Sequence, residues 1–190
     1  MDRAIYTALS AANAALNRQA VTSNNMANSA TAGFRAQLAA FRAVPVEGQT
    51  LKTRALVAES TPYNDDTMGP ITHTGRSLDV ALPQNGWLAV ALPDGSEGYT
   101  RNGGIEIDRD GALQVGGKPL MGDGAPLVVP PHSQITIAED GTVSALGAGD
   151  EPTAVVPVGR LKMVNAPMST LIHGDDGLFR PAAGNALPQD

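Results

Sequence analysis

The residues with the chemistry to react or to hold a ligand are few, and their spacing argues against both. Glu106-x-Asp108-x-Asp110-Gly111 has the alternation that opens a calcium loop. Such a loop begins with Asp and closes with Glu at its twelfth position; here that position is Gly117, and a hairpin turn is the better reading. Gly116-Gly117-Lys118-Pro119 resembles the end of a phosphate loop, yet Ala112 stands where the first glycine is needed and Pro119 where Ser or Thr is needed. His73, His132 and His173 are far apart, each in a Gly/Pro-rich or loop-like setting; a metal site would require folding to bring them together. There is no Gly-x-Ser-x-Gly elbow. The absence of cysteine removes disulfides, thiol catalysis and cysteine-ligated metals. Asp79 and Arg101 are read as a structural pair across neighbouring strands rather than a catalytic one. The chain is expected to be no enzyme and to use no cofactor or metal.

Composition narrows the classes further. The net charge of −6 opposes nucleic-acid binding, which needs a basic face. No apolar run reaches the length that spans a membrane. The amino terminus lacks a basic segment followed by a dense apolar core, so no cleaved secretory signal is expected. With 190 residues, 21 glycines and 14 prolines, the chain holds one or two turn-rich domains with a modest core.

The elements that organise such a chain start with residues 1–35. Ile5, Leu9, Ala12 and Leu16 recur at intervals of four, three and four. They make a narrow seam of the coiled-coil kind rather than the wide stripe of a globular helix. Gln19, Ser23 and Met26 continue the register, so the seam weakens as it runs. Seven alanines in the first twenty residues favour helix, and Asp2 suits the positive end of the dipole. Gly33 supplies a stop after the asparagine-rich stretch Asn24, Asn25 and Asn28. Charges are rare, and the remaining faces carry Asn, Ser and Thr, which suit hydrogen bonding between closely packed helices. A helix of about 25 residues would be roughly 40 Å long and marginal alone in water. It is expected to lack a partner in its own chain and to pack against helices of other subunits; the alternative is a helix laid across its own β-domain. Ile5, Leu9, Ala12, Leu16, Asn24, Asn25 and Asn28 are the candidate assembly residues.

Residues 36–73 read as a connector. Ala36–Arg42 is predicted as a short helix with Leu38 and Phe41 on one side, and Leu51–Val57 as extended. Pro45, Gly48, Pro62, Gly69 and Pro70 oppose any long element. From residue 74 to 180 the period changes to two, as in Leu78/Val80/Leu82, Ile105/Ile107, Leu113/Val115, Ile135/Ile137 and Val143/Ala145. Between these runs lie Asn85-Gly86, Asp94-Gly95, Asn102-Gly103, Asp110-Gly111, Asp123-Gly124 and Asp140-Gly141, with Asp176-Gly177 beyond. Asx-Gly pairs between short strands are hairpin signals. The predicted fold is mainly β with a long amino-terminal helix: an antiparallel domain of eight to ten short strands built from local hairpins. Trp87, Leu88 and Val90 are placed in its core, and residues 181–190 form a flexible tail.

Ser23-Asn24-Asn25-Met26-Ala27-Asn28 followed by Thr31-Ala32-Gly33-Phe34-Arg35 resembles the amino-terminal signature of bacterial flagellar rod and hook proteins. That signature runs Ala-Asn-Asn-Leu-Ala-Asn and then Thr-x-Gly-Phe; Ser23 and Met26 are mild departures. The opening Met1–Ala8 and the run Phe41–Val46 look most like the proximal rod members. Thr74-Gly75-Arg76-Ser77-Leu78-Asp79-Val80-Ala81 is similar to the family's Thr-Gly-x-x-Leu-Asp-Val-Ala. Asn85-Gly86-Trp87-Leu88-Ala89-Val90 is similar to its Gly-Phe-Phe-x-Val element, and Tyr99-Thr100-Arg101-Asn102-Gly103 matches Tyr-Thr-Arg-Asn-Gly. With Ile135–Ile137, Asp140–Val143 and Gly159–Lys162, the resemblance covers nearly the whole chain.

The resemblance implies a structural subunit of the flagellar basal-body rod, self-assembling through amino-terminal helices into a tubular shaft across the periplasm. It implies partnership with other rod proteins and with the flagellar type III export apparatus, which reads uncleaved amino termini. It also implies a second long helix at the carboxy end. Pro181, Gly184 and Leu187–Asp190 show no such pattern, so a chain shortened there is expected. A competing reading is a β-rich carbohydrate- or peptidoglycan-binding module, which would need an exposed aromatic platform. A β-barrel hydrolase with a dispersed site is a third, for which no residue set speaks.

Overall fold

The computed structural model describes residues 2–46, 55–147, 149, 151, 154–174 and 176–189. They belong to two compact units, Met1–Asp66 and Thr67–Asp190. The fold is mainly antiparallel β with one long helix.

The first unit consists of α1 (Asp2–Ala27) and a hairpin of β1 (Gln37–Pro45) and β2 (Ala55–Asn64). At the end of the helix, side chains reinforce backbone bonds to its last carbonyls: Asn28 Nδ2 donates to Asn24 O at 3.0 Å and Ser29 Oγ to Met26 O at 2.8 Å. Gly33 lies beyond that end. It sits at φ 71° in a turn closed by Phe34 N–H donating to Thr31 O at 3.2 Å, a conformation that favours glycine.

Two predictions fail in this unit. Ala36–Arg42 is not a helix, because Gln37–Pro45 is strand. A seven-residue helix gains few hydrogen bonds for its nucleation cost, whereas β2 offers a long ladder. Pro62 does not prevent that ladder either: the register shifts between Leu38 and Ala40, opposite Tyr63 and Ser60, and Pro62 falls at this bulge, where a missing N–H is tolerated. Gly48 and residues 51–54 of the extended prediction lie outside the described residues.

The helix also has a partner in its own chain. Thr7, Ser10, Ala14, Val21 and Asn25 are its partly buried positions, and two of them bond the hairpin. Ser10 Oγ donates to Val57 O and accepts from Val57 N–H, each at 3.0 Å. Asn25 Nδ2 donates to Gln37 O and Asn25 Oδ1 accepts from Gln37 N–H, each at 2.9 Å. The unpartnered helix expected from the apolar seam is therefore corrected: the small polar residues expected to bond helices of other subunits instead bond a strand hairpin of the same chain.

In the second unit a five-stranded sheet runs in the order β11 (Met163–Asn165), β3 (Gly86–Ala91), β4 (Glu97–Thr100), β13 (Phe179–Pro181), β12 (Leu171–His173). Smaller sheets combine β5 (Glu106–Ile107), β6 (Leu113–Val115) and β7 (Lys118–Pro119), and β8 (Gln134–Ile137), β9 (Thr142–Leu146) and β10 (Val156–Arg160). That is eleven short strands among the described residues of this unit, slightly more than predicted. β3 is buried on both faces. Leu88 and Val90 enter one apolar cluster with Ile105, Leu113, Val143 and Leu161; Trp87 and Ala89 enter a second with Tyr99, Val164 and Phe179. A central strand of this kind reads as a continuous apolar run rather than an alternation.

Asp94-Gly95, Asp110-Gly111, Asp140-Gly141 and Asp176-Gly177 connect consecutive strands, each glycine at positive φ. Gly116-Gly117, the pair weighed as a phosphate loop, is the two-residue turn between β6 and β7, with φ 55° and 74°. Asn85-Gly86 and Asn102-Gly103 are not hairpin tips. The expected purely local pairing is corrected by β11 beside β3 and β13 beside β4. Leu78, Val80 and Leu82 pack against the first cluster without forming a regular strand.

Candidate functional site

The positions singled out for assembly stay at the surface of α1. Ile5 is 61% exposed, Leu9 53% and Leu16 63%, and Ala12 is exposed beside them. At about 100° per residue the seam centres roughly 160° around the helix from the stripe that meets the hairpin. α1 is thus two-sided: a polar face docks within the chain and an apolar face is left outward. Of the asparagines, Asn24 is exposed, Asn25 is engaged by Gln37, and Asn28 both caps the helix end and accepts from Thr31 Oγ1 at 3.3 Å.

The other motif residues meet in the second unit. The Thr74–Ala81 and Tyr99–Gly103 stretches lie side by side: Val80 N–H donates to Gly103 O at 2.9 Å and Ile105 N–H to Leu78 O at 3.2 Å, with a bridge between Asp79 and Gly104. A Cβ on Gly103 would run into the carbonyl oxygen of Val80, so close approach explains this glycine. Gly75, at φ 78°, turns the chain before Arg76, whose N–H lies 3.4 Å from Thr74 Oγ1. Asp79 faces Arg76, with Oδ1 3.5 Å from Nη1, while Arg76 Nη2 donates to Ile105 O.

The Asp79–Arg101 pairing expected from sequence is replaced. Arg101 instead donates to the carbonyls of Pro83, Gln84 and Gly86 at 2.8, 2.6 and 2.8 Å. It also lies 5.4 Å from the Trp87 ring centroid, close enough for cation–π attraction. A guanidinium can collect several carbonyls that converge on one point, so Arg101 shapes the 82–86 loop. Trp87 Nε1 donates to Ala166 O at 2.8 Å in the interior.

Behind β4, Tyr99 Oη donates to Glu97 Oε2 and accepts from Leu187 N–H, both at 2.8 Å, and Lys162 Nζ reaches both oxygens of Glu97 at 2.6 and 2.8 Å. Burial pushes the Tyr99 hydroxyl up to about 12, and its bond to Glu97 adds to the shift. Leu187, within the expected tail, packs on the second apolar cluster. At the surface, Arg180 holds the Asp176 carboxyl down at about 2. Hydrogen bonds from Ser96 and Thr142 lower Asp94 and Asp140. Asp108 is likewise spent on a turn, accepting from the N–H groups of Asp110 and Ala112.

These networks do structural work at turns and strand ends. Among the described residues no group of three His, Cys, Asp or Glu side chains is placed to hold a metal ion, and no helix is long and apolar enough to cross a membrane. A groove of about 510 Å³ is lined by Leu82, Pro83, Ile137, Glu139, Leu161 and Met163 among others and has no aromatic lining. Trp87, Tyr99 and Phe179 are buried. These are the aromatics of the second unit, so no exposed aromatic platform of the kind a carbohydrate module would need is found among its described residues.

The family model described as flagella basal body rod protein matches residues 5–35, and that of the flagellar hook protein FlgE/F/G D1 domain matches residues 81–145. The flagellar basal-body rod protein FlgF of Escherichia coli (strain K12) is 58% identical over 183 residues, covering 96% of this chain and 73% of that protein. FlgF of Salmonella typhimurium is 57% identical with the same coverage. The flagellar hook protein FlgE of Escherichia coli is 39% identical over 125 residues, which is 63% of this chain and 30% of that protein. The first matched segment is the helix with its outward seam, and the second is the heart of the β unit. The chain belongs to the FlgF family of flagellar basal-body rod proteins, structural subunits of the rod.

Proposed function

We propose that this chain works by mechanical assembly rather than catalysis, and that the α1 seam is the surface through which it joins the rod. The observation that carries the reading is the exposure of Ile5, Leu9 and Leu16 on one line of a helix whose opposite face is already docked. Enclosing one such leucine is worth roughly 1.5–3 kcal/mol, and repetition around a closed tube multiplies the gain. The partners are helices of like chains and of other rod proteins, with the exposed Asn24 near the end of α1 free to bond across closely packed backbones. The site of work is the rod in the periplasm, reached through the flagellar export apparatus without a cleaved signal. The motif residues of the β unit keep that body rigid as part of the wall.

Leu9→Asp with Leu16→Asp, carried by the motile cell's own protein, tests this. Export should continue and rod completion should fail. Completed rods with normal export would remove the seam from the assembly interface.

A further inference from the structure

We propose that Ser10 and Asn25 are positioning residues that set the rotation of α1 on its hairpin, and so decide which face of the helix is presented outward. Both make the same contact: one side chain donates to the carbonyl and accepts from the N–H of a single strand residue, Val57 for Ser10 and Gln37 for Asn25. Only a side chain with both a donor and an acceptor closes such a reciprocal pair. The Asn25 carboxamide does it as a neighbouring strand would, presenting an N–H and a C=O together. Val57 lies across from Ala43, and Gln37 across from Asn64. The helix therefore satisfies backbone groups on both strands of a two-stranded sheet and covers groups that would otherwise invite another chain.

The two clamps fit one rigid helix. Ser10 and Asn25 are about 22 Å apart along α1. Ala43, which is opposite Val57, and Gln37 are about 20 Å apart along β1. Two fixed points at matched spacing define both the alignment and the rotation of a helix. Small residues between them, with Ala14 partly buried, would by themselves tolerate rotation. With the clamps closed, Leu9 and Leu16 point outward; a turn of the helix would bring them toward the strands and hide the seam. The consequence for assembly rests on the seam reading above, but the positioning itself does not.

The test uses the isolated chain, which has no native cysteine, and compares single cysteines at Ala12 on the seam side and Ala14 on the hairpin side. In the parent, the cysteine at position 12 should react with a thiol reagent faster than that at 14. In Ser10→Val with Asn25→Leu, similar in shape but without hydrogen bonding, this selectivity should vanish. The amides of Val57 and Gln37 should then exchange roughly tenfold faster, with helix content by circular dichroism unchanged. Ser10→Thr, which restores the hydroxyl on the shape of Val, should recover the selectivity and the protection of Val57. Should the doubly apolar chain lose its helix, Asn25→Asp keeps the acceptor and the shape and sets a carboxylate oxygen in place of the donor to Gln37 O; loss of selectivity there supports the proposal equally. Unchanged labelling and exchange in these variants would overturn it. Lost selectivity with rods still completed in the cell would uphold the positioning and remove the seam reading. Unchanged selectivity with failed rods would overturn the positioning and trace the failure to something other than the rotation of the helix.

Discussion

The two units of this chain solve opposite problems. The Thr67–Asp190 unit closes on itself: β3 is covered on both faces, and its long-range neighbours β11 and β13 lock distant stretches of chain together. The Met1–Asp66 unit spends its hydrogen-bonding side chains inward and leaves leucines at the surface. A stable body and an adhesive helix need different inside-outside rules, and one chain carries both. An exposed apolar line on a helix that already has a docked face is the surface that the proposed seam contact would use.

The contrast is broken most strongly from the core side. Val90→Asp places an unpaired carboxylate where no solvent reaches and should cost more than about 4 kcal/mol. The Trp87 fluorescence transition should be lost while a helical signal from the first unit remains. Retention of a cooperative transition would contradict the closed core.

Next in size is Gly103→Ala. The added methyl meets the Val80 carbonyl oxygen and forces backbone apart; a loss of about 2–4 kcal/mol is expected in denaturant, confined to the second unit. A change under about 0.5 kcal/mol would mean that the Leu78–Val80 stretch yields freely.

A smaller effect appears with alkali. Tyr99 titrates near 12 in the folded chain and near 10 when unfolded, so folding favours its protonated form. That contribution is complete below pH 10 and drains away as the pH rises from about 10 toward about 12. Denaturation midpoints of the second unit should fall across this window, and Tyr99→Phe should flatten the fall. An equal fall in both proteins would place its origin elsewhere.

At the bottom of the scale, Leu9→Asp with Leu16→Asp should shift the stability of the isolated chain by no more than about 0.5 kcal/mol, because neither leucine is enclosed there. A large loss would show that the seam supports its own unit.

The sequence made some of this visible and hid the rest for physical reasons. Asp94-Gly95, Asp140-Gly141 and Asp176-Gly177 announce hairpins because turn geometry is local. The pairing of β3 with β11 has no local signature: Leu88 and Met163 are joined only by the closed fold. The 37–64 hairpin was obscured because Leu38 and Phe41 also fit helical spacing, and because Pro62 could not be known to fall at a bulge. On α1 the outward line of Ile5, Leu9, Ala12 and Leu16 was legible as a period. Ser10 and Asn25 were not, since Ser and Asn on a helix look alike whether they face water or a strand edge.

The seam as the contact between subunits is tested most directly in assembled basal bodies. Because the chain has no cysteine of its own, single cysteines at Leu9, Leu16 and Ala14 can each be probed with a short bifunctional thiol reagent. Leu9→Cys and Leu16→Cys should cross-link to neighbouring subunits, and Ala14→Cys, on the docked side, should not. Cross-linking from Ala14→Cys alone, or none from either seam position in completed rods, would contradict the account.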